Sequence, residues 1–124
     1  TIPGINIVAT ADSIELKYFL KDAFENNIPT YIRIGKKGEP DLFNESHNLG
    51  VGKANMLKDG EEILIIGIGP ILTEAIEAAK SLKDENLNIA VASMGSIRPL
   101  DEDFLRKMVS NTLITRTLIS CCHL

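Results

Sequence analysis

"ILIIGIGPILTEAIEAAKSL", residues 63–82, decides the fold. Its first six residues are apolar or glycine, with no polar alternation. Such a run suits a central strand covered on both faces. Gly67-Ile68-Gly69 makes a tight turn, and Pro70 stands where a first helical residue belongs. Leu72, Ala75, Ile76, Ala79 and Leu82 then recur at helical spacing and mark one buried stripe. A strand, a short turn and an amphipathic helix form the unit from which parallel sheets are built. Upstream, "KANML" reads as a strand joined to the first by a turn at Lys58-Asp59-Gly60. Downstream, "NIAVASM" is a second buried strand, and "SIRPLDEDFLRKMV" turns at Pro99 and opens a helix. Asp101 is the candidate N-cap there, with acids in the first turn where the helix dipole favours them. "TLIT" reads as one more strand.

The first forty residues carry a smaller copy of the same logic. "INIVA" suits a buried strand. Asp12 and Glu15 form a capping-box-like start to a helix. Leu16, Phe19, Leu20, Ala23 and Phe24 give that helix an apolar stripe, and Asn26-Asn27 and Pro29 end it. "TYIRI" is the next strand. Residues 35–50 hold four glycines and prolines among polar residues, which reads as a loop or linker. The order is β-α-β, a linker, then β-β-α-β-α-β. It predicts an α/β chain with three layers, α/β/α, around a mostly parallel sheet.

Composition narrows the function. A 44% hydrophobic and 24% charged chain of 124 residues is globular. A net charge of −4 argues against a general nucleic-acid or anionic-membrane binder. No apolar run is long enough to cross a bilayer. The start lacks the charged-then-apolar order of a secretory signal, so a cytoplasmic location is expected. Cys121 and Cys122 are adjacent and show no disulfide framework, and two distant histidines do not make a transition-metal site.

Motifs that could carry chemistry are few. "GIGPIL" (67–72) has Leu72 where a dinucleotide fingerprint needs its third glycine. Ser93-Met94-Gly95 stand where the next strand should end in an acid. A turn that lets helix and sheet pack closely is the better reading. No Gly-Lys-Ser/Thr triplet supports a P-loop. Arg33, Lys36 and Lys37 at the end of "TYIRI" are a basic cluster in an acidic chain. From charge alone they are a solvated loop. Their position shifts the balance, because ligands of open α/β sheets sit beyond the carboxyl ends of strands, where a cation holds a phosphate or carboxylate. Asp12, Glu15 and Asp101 are explained by capping. His47 reads as a surface histidine, and Lys53 as a side chain that reaches water. No nucleophile, base and orienting residue stand together, so no catalytic residue is assigned.

Four phrases in order give the chain a family likeness: "IPGINIVATADSIE", "IPTYIRIGKKGEPDL", "GKANMLKDGEEILIIGIGPILTEAIEAAKSL" and "NIAVASMGSIRPLDEDFL". Together they resemble the C-terminal half of a transketolase-like, thiamine-diphosphate-dependent enzyme, over residues 1–115. The resemblance implies that residues 1–40 end a pyrimidine-binding domain and 41–50 form a linker. Residues 51–124 are then a transketolase C-terminal-like domain, with the last nine residues or so atypical. Aligned from Pro29, Lys36 falls on an arginine that holds substrate phosphate in transketolases, and Arg33 on an arginine common in the synthase-like members. Both are candidate substrate-phosphate ligands, Lys36 as a point charge where arginine offers a fork.

The resemblance also implies what this stretch lacks. The family's activating glutamate and its Gly-Asp-Gly motif for metal and diphosphate lie in other segments, so thiamine diphosphate and Mg2+ belong to the full enzyme. No cofactor-binding or metal residue is expected on this chain alone. Its implied partners are an N-terminal half or subunit carrying the diphosphate-binding domain, a second copy in a homodimer, and a phosphorylated sugar. The implied reaction moves a two-carbon ketol unit between sugar phosphates, and the chain by itself is expected to be inactive. Two departures stand out. Thr10-Ala11 replace the residues, including a proline, that usually precede the first aspartate, and "RTLISCCHL" replaces the usual close, reading as a truncated or frame-shifted, frayed end. The alternatives are a non-catalytic α/β binding or dimerisation module, and a fragment of a 2-oxoacid dehydrogenase beta subunit.

Overall fold

The structure, a computed structural model, describes residues 3–36, 38–111 and 114–119. The strands and helices run in the order β1 (Asn6–Ala9), α1 (Ser13–Asn26), β2 (Thr30–Arg33), β3 (Asn55–Lys58), β4 (Ile63–Ile68), α2 (Leu72–Lys83), β5 (Ile89–Ser93), β6 (Ser96–Arg98), α3 (Glu102–Asn111) and β7 (Ile114–Ile119). They make two sheets, ordered β2-β1-β6 and β3-β5-β4-β7.

The second sheet is built around the 63–82 unit. β4 runs parallel to both β5 and β7, and β3 closes the sheet antiparallel to β5. Residues alternate across its two faces, as a pleated strand requires. Ile63, Ile65, Ile89 and Val91 join one core with Leu72, Ala75 and Ala79 of α2. Leu64, Ile66, Ala90 and Ala92 join the other with Phe104, Leu105 and Met108 of α3. Helices on both faces give the three-layer α/β/α arrangement, and the chain is α/β as expected. Gly67 is tight for a packing reason, since a Cβ there would lie 2.6 Å from Leu72 Cδ2. Pro70 lies in the first positions of a single 3-10 turn, Gly69–Ile71, that leads into α2.

Four features differ from the sequence reading. The turn after β3 does not return the chain beside it. β5 lies between β3 and β4, and Gly60 passes so close to the Ile89 and Ala90 backbone that a side chain would collide. A short strand, β6, appears before Pro99 and pairs antiparallel with β1, joining the later part of the chain to the first sheet. Arg116 to Ile119, expected to be frayed, lie in β7 against β4 in continuous register, as a stretch with four β-branched residues out of six, "ITRTLI", favours. Cys121, Cys122 and His123 fall outside the described residues, as does Lys37.

The fourth difference is the rotation of α1. Ile14 and Tyr18 pack on the α2 core, and Glu15 and Phe19 are buried. Leu20 is 53% exposed and Phe24 88% exposed, although both stand on the expected apolar stripe. The helix is apolar on two sides, and the side bearing Ile14 and Tyr18 is the one that packs on this core.

Residues 41–54 are irregular but tied down. Phe43 and Leu49 are buried with the α2 core. The Asp12 carboxylate accepts from Leu42 N at 2.7 Å and Phe43 N at 3.0 Å. Asp22 accepts from Val51 N, the Ser96 hydroxyl from Gly52 N, and Asp101 from Ala54 N. Side chains from α1, β6 and the α3 cap thus hold one strap of backbone between the two sheets. No described helix is long and apolar enough to cross a membrane.

Candidate functional site

β1 and β2 run parallel in register, Asn6 beside Thr30 through Ala9 beside Arg33, so their carboxyl ends open on the same side. Thr10 N donates to Arg33 O and continues that pairing. The chain then leaves β1 into the start of α1, and leaves β2 into the basic loop. Between the two exits lies a cleft of about 390 Å³. Residues 10–13 and Leu16 form one wall; residues 34–36, Gly38 and Glu39 form the other. This is where an open α/β sheet places ligands.

The α1 wall is rigid for identifiable reasons. Asp12 is buried and its carboxylate accepts three backbone N–H groups, from Glu15, Leu42 and Phe43. It is an N-cap and a clamp on the strap at once. Glu15 is also buried, and its Oε2 accepts from Ala11 N at 2.7 Å. The reciprocal bond of a capping box therefore reaches one residue further back than the cap itself. Burial pushes the Glu15 carboxyl up to about 7, the Asp12 charge adds to the rise, and the bond from Ala11 and the nearby Ser93 hydroxyl oppose it. Ser93 Oγ lies close but makes no hydrogen bond of full geometry; among the described residues it is buried without a partner.

The two basic candidates do not meet. Lys36 is exposed on the rim of the cleft. Arg33 lines a second, much smaller hollow of about 10 Å³ with Gly35, Ile68, Gly69 and Pro70, room for roughly one water. Gly35 divides the two, and a Cβ there would come within 2.7 Å of Pro70 Cγ. Lys36 shares its cleft with two acids, Asp12 and Glu39. His47, read as a surface residue, is half-buried. Its Nδ1 accepts from Asn44 N, and its ring stands edge-on to Phe43 with centroids 5.4 Å apart.

The acids near the cleft do not fit a divalent metal and diphosphate. A magnesium ion needs free carboxylate oxygens. Asp12 has committed both of its oxygens, and Glu15 is sealed beneath the helix start. Among the described residues no three metal-ligating side chains converge anywhere. What the sequence reading missed is the burial of Glu15. Its spacing from Asp12 announces a cap, and caps are ordinarily at the surface; only its contact with Ser93 and Gly95, some eighty residues away, hides it.

The comparisons agree with this architecture. Over 90% of its length the chain is 33% identical to a subunit of the apulose-4-phosphate transketolase of Phocaeicola vulgatus, of which it covers 36%. It is 37% identical over 86% of its length to the 1-deoxy-D-xylulose-5-phosphate synthase of Prochlorococcus marinus, covering 17% of that protein. A solved structure described as a split gene transketolase, inactive beta4 tetramer, superposes with a TM-score of 0.89 at 29% identity, over 97% of this chain and 40% of that one. The chain spans well under half the length of each relative. The family model described as transketolase, C-terminal domain, matches residues 52–118, more than half of the chain, which therefore belongs to the transketolase C-terminal domain family.

Proposed function

We propose that this chain forms the substrate-phosphate end of a thiamine-diphosphate transketolase that moves a two-carbon ketol unit between sugar phosphates. The carrying observation is the cleft at the carboxyl ends of β1 and β2 with Lys36 on its rim. A lysine there offers a phosphate three N–H donors and a full charge, while the opposite wall is held still by Asp12 and Glu15. Arg33, behind Gly35, is the second candidate, acting beside the β4 turn and not within the cleft. Two of the relatives are named for phosphorylated sugars, which supports a phosphate in the cleft.

In this reading residues 1–40 complete a pyrimidine-binding domain, and residues from 51 onward are the C-terminal domain. Thiamine diphosphate, when bound, supplies the carbanion-stabilising chemistry, and its Mg2+ and diphosphate are held by a partner subunit or segment. The protein works as a dimer in the cytoplasm, and this chain is inactive alone. The split-gene relative is described as an inactive tetramer of beta chains, which supports that last point.

The test uses the complex of this chain with its diphosphate-binding partner, assayed for ketol transfer to phosphorylated and unphosphorylated aldoses. Lys36→Ala is expected to raise KM for the phosphorylated acceptor roughly 10- to 150-fold, the worth of one charged hydrogen bond. The unphosphorylated acceptor should be unaffected, and Lys36→Arg should retain most of the affinity. An equal effect on both acceptors, or none, removes Lys36 from the site.

A further inference from the structure

We propose that Glu15 is a protonation-dependent pin between the β1-α1-β2 unit and the β5–β6 connection, fastening the two when neutral and loosening them when charged. It goes beyond the phosphate reading and holds whether or not Lys36 binds a sugar.

The geometry is that of a sealed joint. Glu15 is 2% exposed, and its Oε1 lies against Gly95, so close that any side chain at 95 would displace it. Gly95 O accepts from Ala9 N at 2.8 Å, which ties the same connection to β1. Glu15 Oε2 accepts from Ala11 N, the residue at which β1 turns into α1. Ser93 Oγ, 1% exposed at the end of β5, faces this carboxyl and has no partner of its own. Every atom the carboxyl touches across the joint is neutral. Among the described residues Asp12, on its own helix, is the one charged side chain that acts on it, and Asp12 repels the anion.

A neutral Glu15 satisfies this joint better than a charged one. Its hydroxyl donates to Ser93 Oγ or to a carbonyl, and its other oxygen keeps Ala11 N. Ionisation sends that proton to solvent, removes the donor and leaves a buried anion beside another carboxylate. Burial agrees in direction, holding the folded carboxyl at about 7 against 4.5 when free. Because the folded value is the higher one, the contribution to stability is complete below pH 4.5 and is lost as pH rises through 7. These two values make the folded-to-unfolded ratio fall about 70-fold between pH 5 and pH 8, relative to a variant that cannot ionise.

The experiment follows the Glu15 side-chain carboxyl carbon by NMR against pH in the intact protein, alongside amide exchange at Ala9. The expected midpoint lies near 7. Above pH 7 the Ala9 amide, bonded across the joint to Gly95 O, should exchange faster than base catalysis alone explains, and Glu15→Gln should abolish that excess. A midpoint near 4.5, or the same excess in Glu15→Gln, overturns the proposal. Should Glu15→Gln not fold, the titration of the parent protein still decides.

Discussion

Replacing Asp12 with asparagine separates a helix cap from a tertiary clamp. As an N-cap alone, asparagine is as good as aspartate, and the change should be nearly silent. In this structure the second carboxylate oxygen is not spare: it accepts from Leu42 N and Phe43 N, thirty residues along the chain. An amide that keeps its oxygen on Glu15 N must turn its NH2 toward two N–H donors, and flipping the amide only exchanges which site fails. Loss of the cap costs about 1 kcal/mol. Each N–H left buried without an acceptor costs about 1–3 kcal/mol, with half-buried Leu42 at the low end. Asp12→Ala should therefore cost about 3–5 kcal/mol, and Asp12→Asn most of that. For a small domain with a urea slope near 2 kcal/mol/M, this is a midpoint shift of roughly 2 M at unchanged slope. Equilibrium urea unfolding by circular dichroism measures it directly. An Asp12→Asn midpoint within about 0.25 M of the parent would refute the clamp and reduce Asp12 to an ordinary cap.

Two further expectations test the packing. Phe19→Ala should cost about 3–5 kcal/mol as a buried truncation, while Phe24→Ala, at an 88% exposed position five residues on, should stay within about 0.5 kcal/mol by the same unfolding assay. Gly67→Ala should cost about 1–3 kcal/mol by overpacking against the fully buried Leu72, and a Leu72→Ala background should recover part of that loss in a double-mutant cycle.

The parts of the fold legible in the sequence were those with one dominant pattern. The unbroken "ILIIGI" run predicted a strand covered on both sides, and β4 is covered by α2 on one face and α3 on the other. Asp101 was read as a cap, and its Oδ1 accepts from Phe104 N. The direction of α1 was not legible, because Leu16, Phe19, Leu20, Ala23 and Phe24 on one side compete with Ile14 and Tyr18 on the other, and periodicity cannot choose between two apolar faces. β6 was missed because three residues, two of them polar, carry no alternation to detect. The insertion of β5 between β3 and β4 depends on pairing across the chain, which a turn at Lys58-Asp59-Gly60 does not encode.

For the candidate site, the sequence placed Lys36 beyond the end of a strand, and the cleft lies there. It could not foresee that Gly35, pressed on Pro70, would divide Lys36 from Arg33. The second role of Asp12 was invisible for a related reason: its partners Leu42 and Phe43 offer only backbone, which leaves no trace in residue type.

The pairing of β6 with β1 bears on how the molecule is made. Ala9 leaves the ribosome long before Ser96, and at 5–20 residues per second the interval is on the order of 4–17 s. Throughout it, β2 is the one described strand beside β1, and Glu15 has neither Ser93 nor Gly95 to cover its carboxyl. β1 is made well before β6, so a later stretch of chain completes a sheet begun earlier. The edge of β1 that β6 later pairs with therefore waits for those seconds, the kind of surface that chaperones hold and that neighbouring nascent chains can capture.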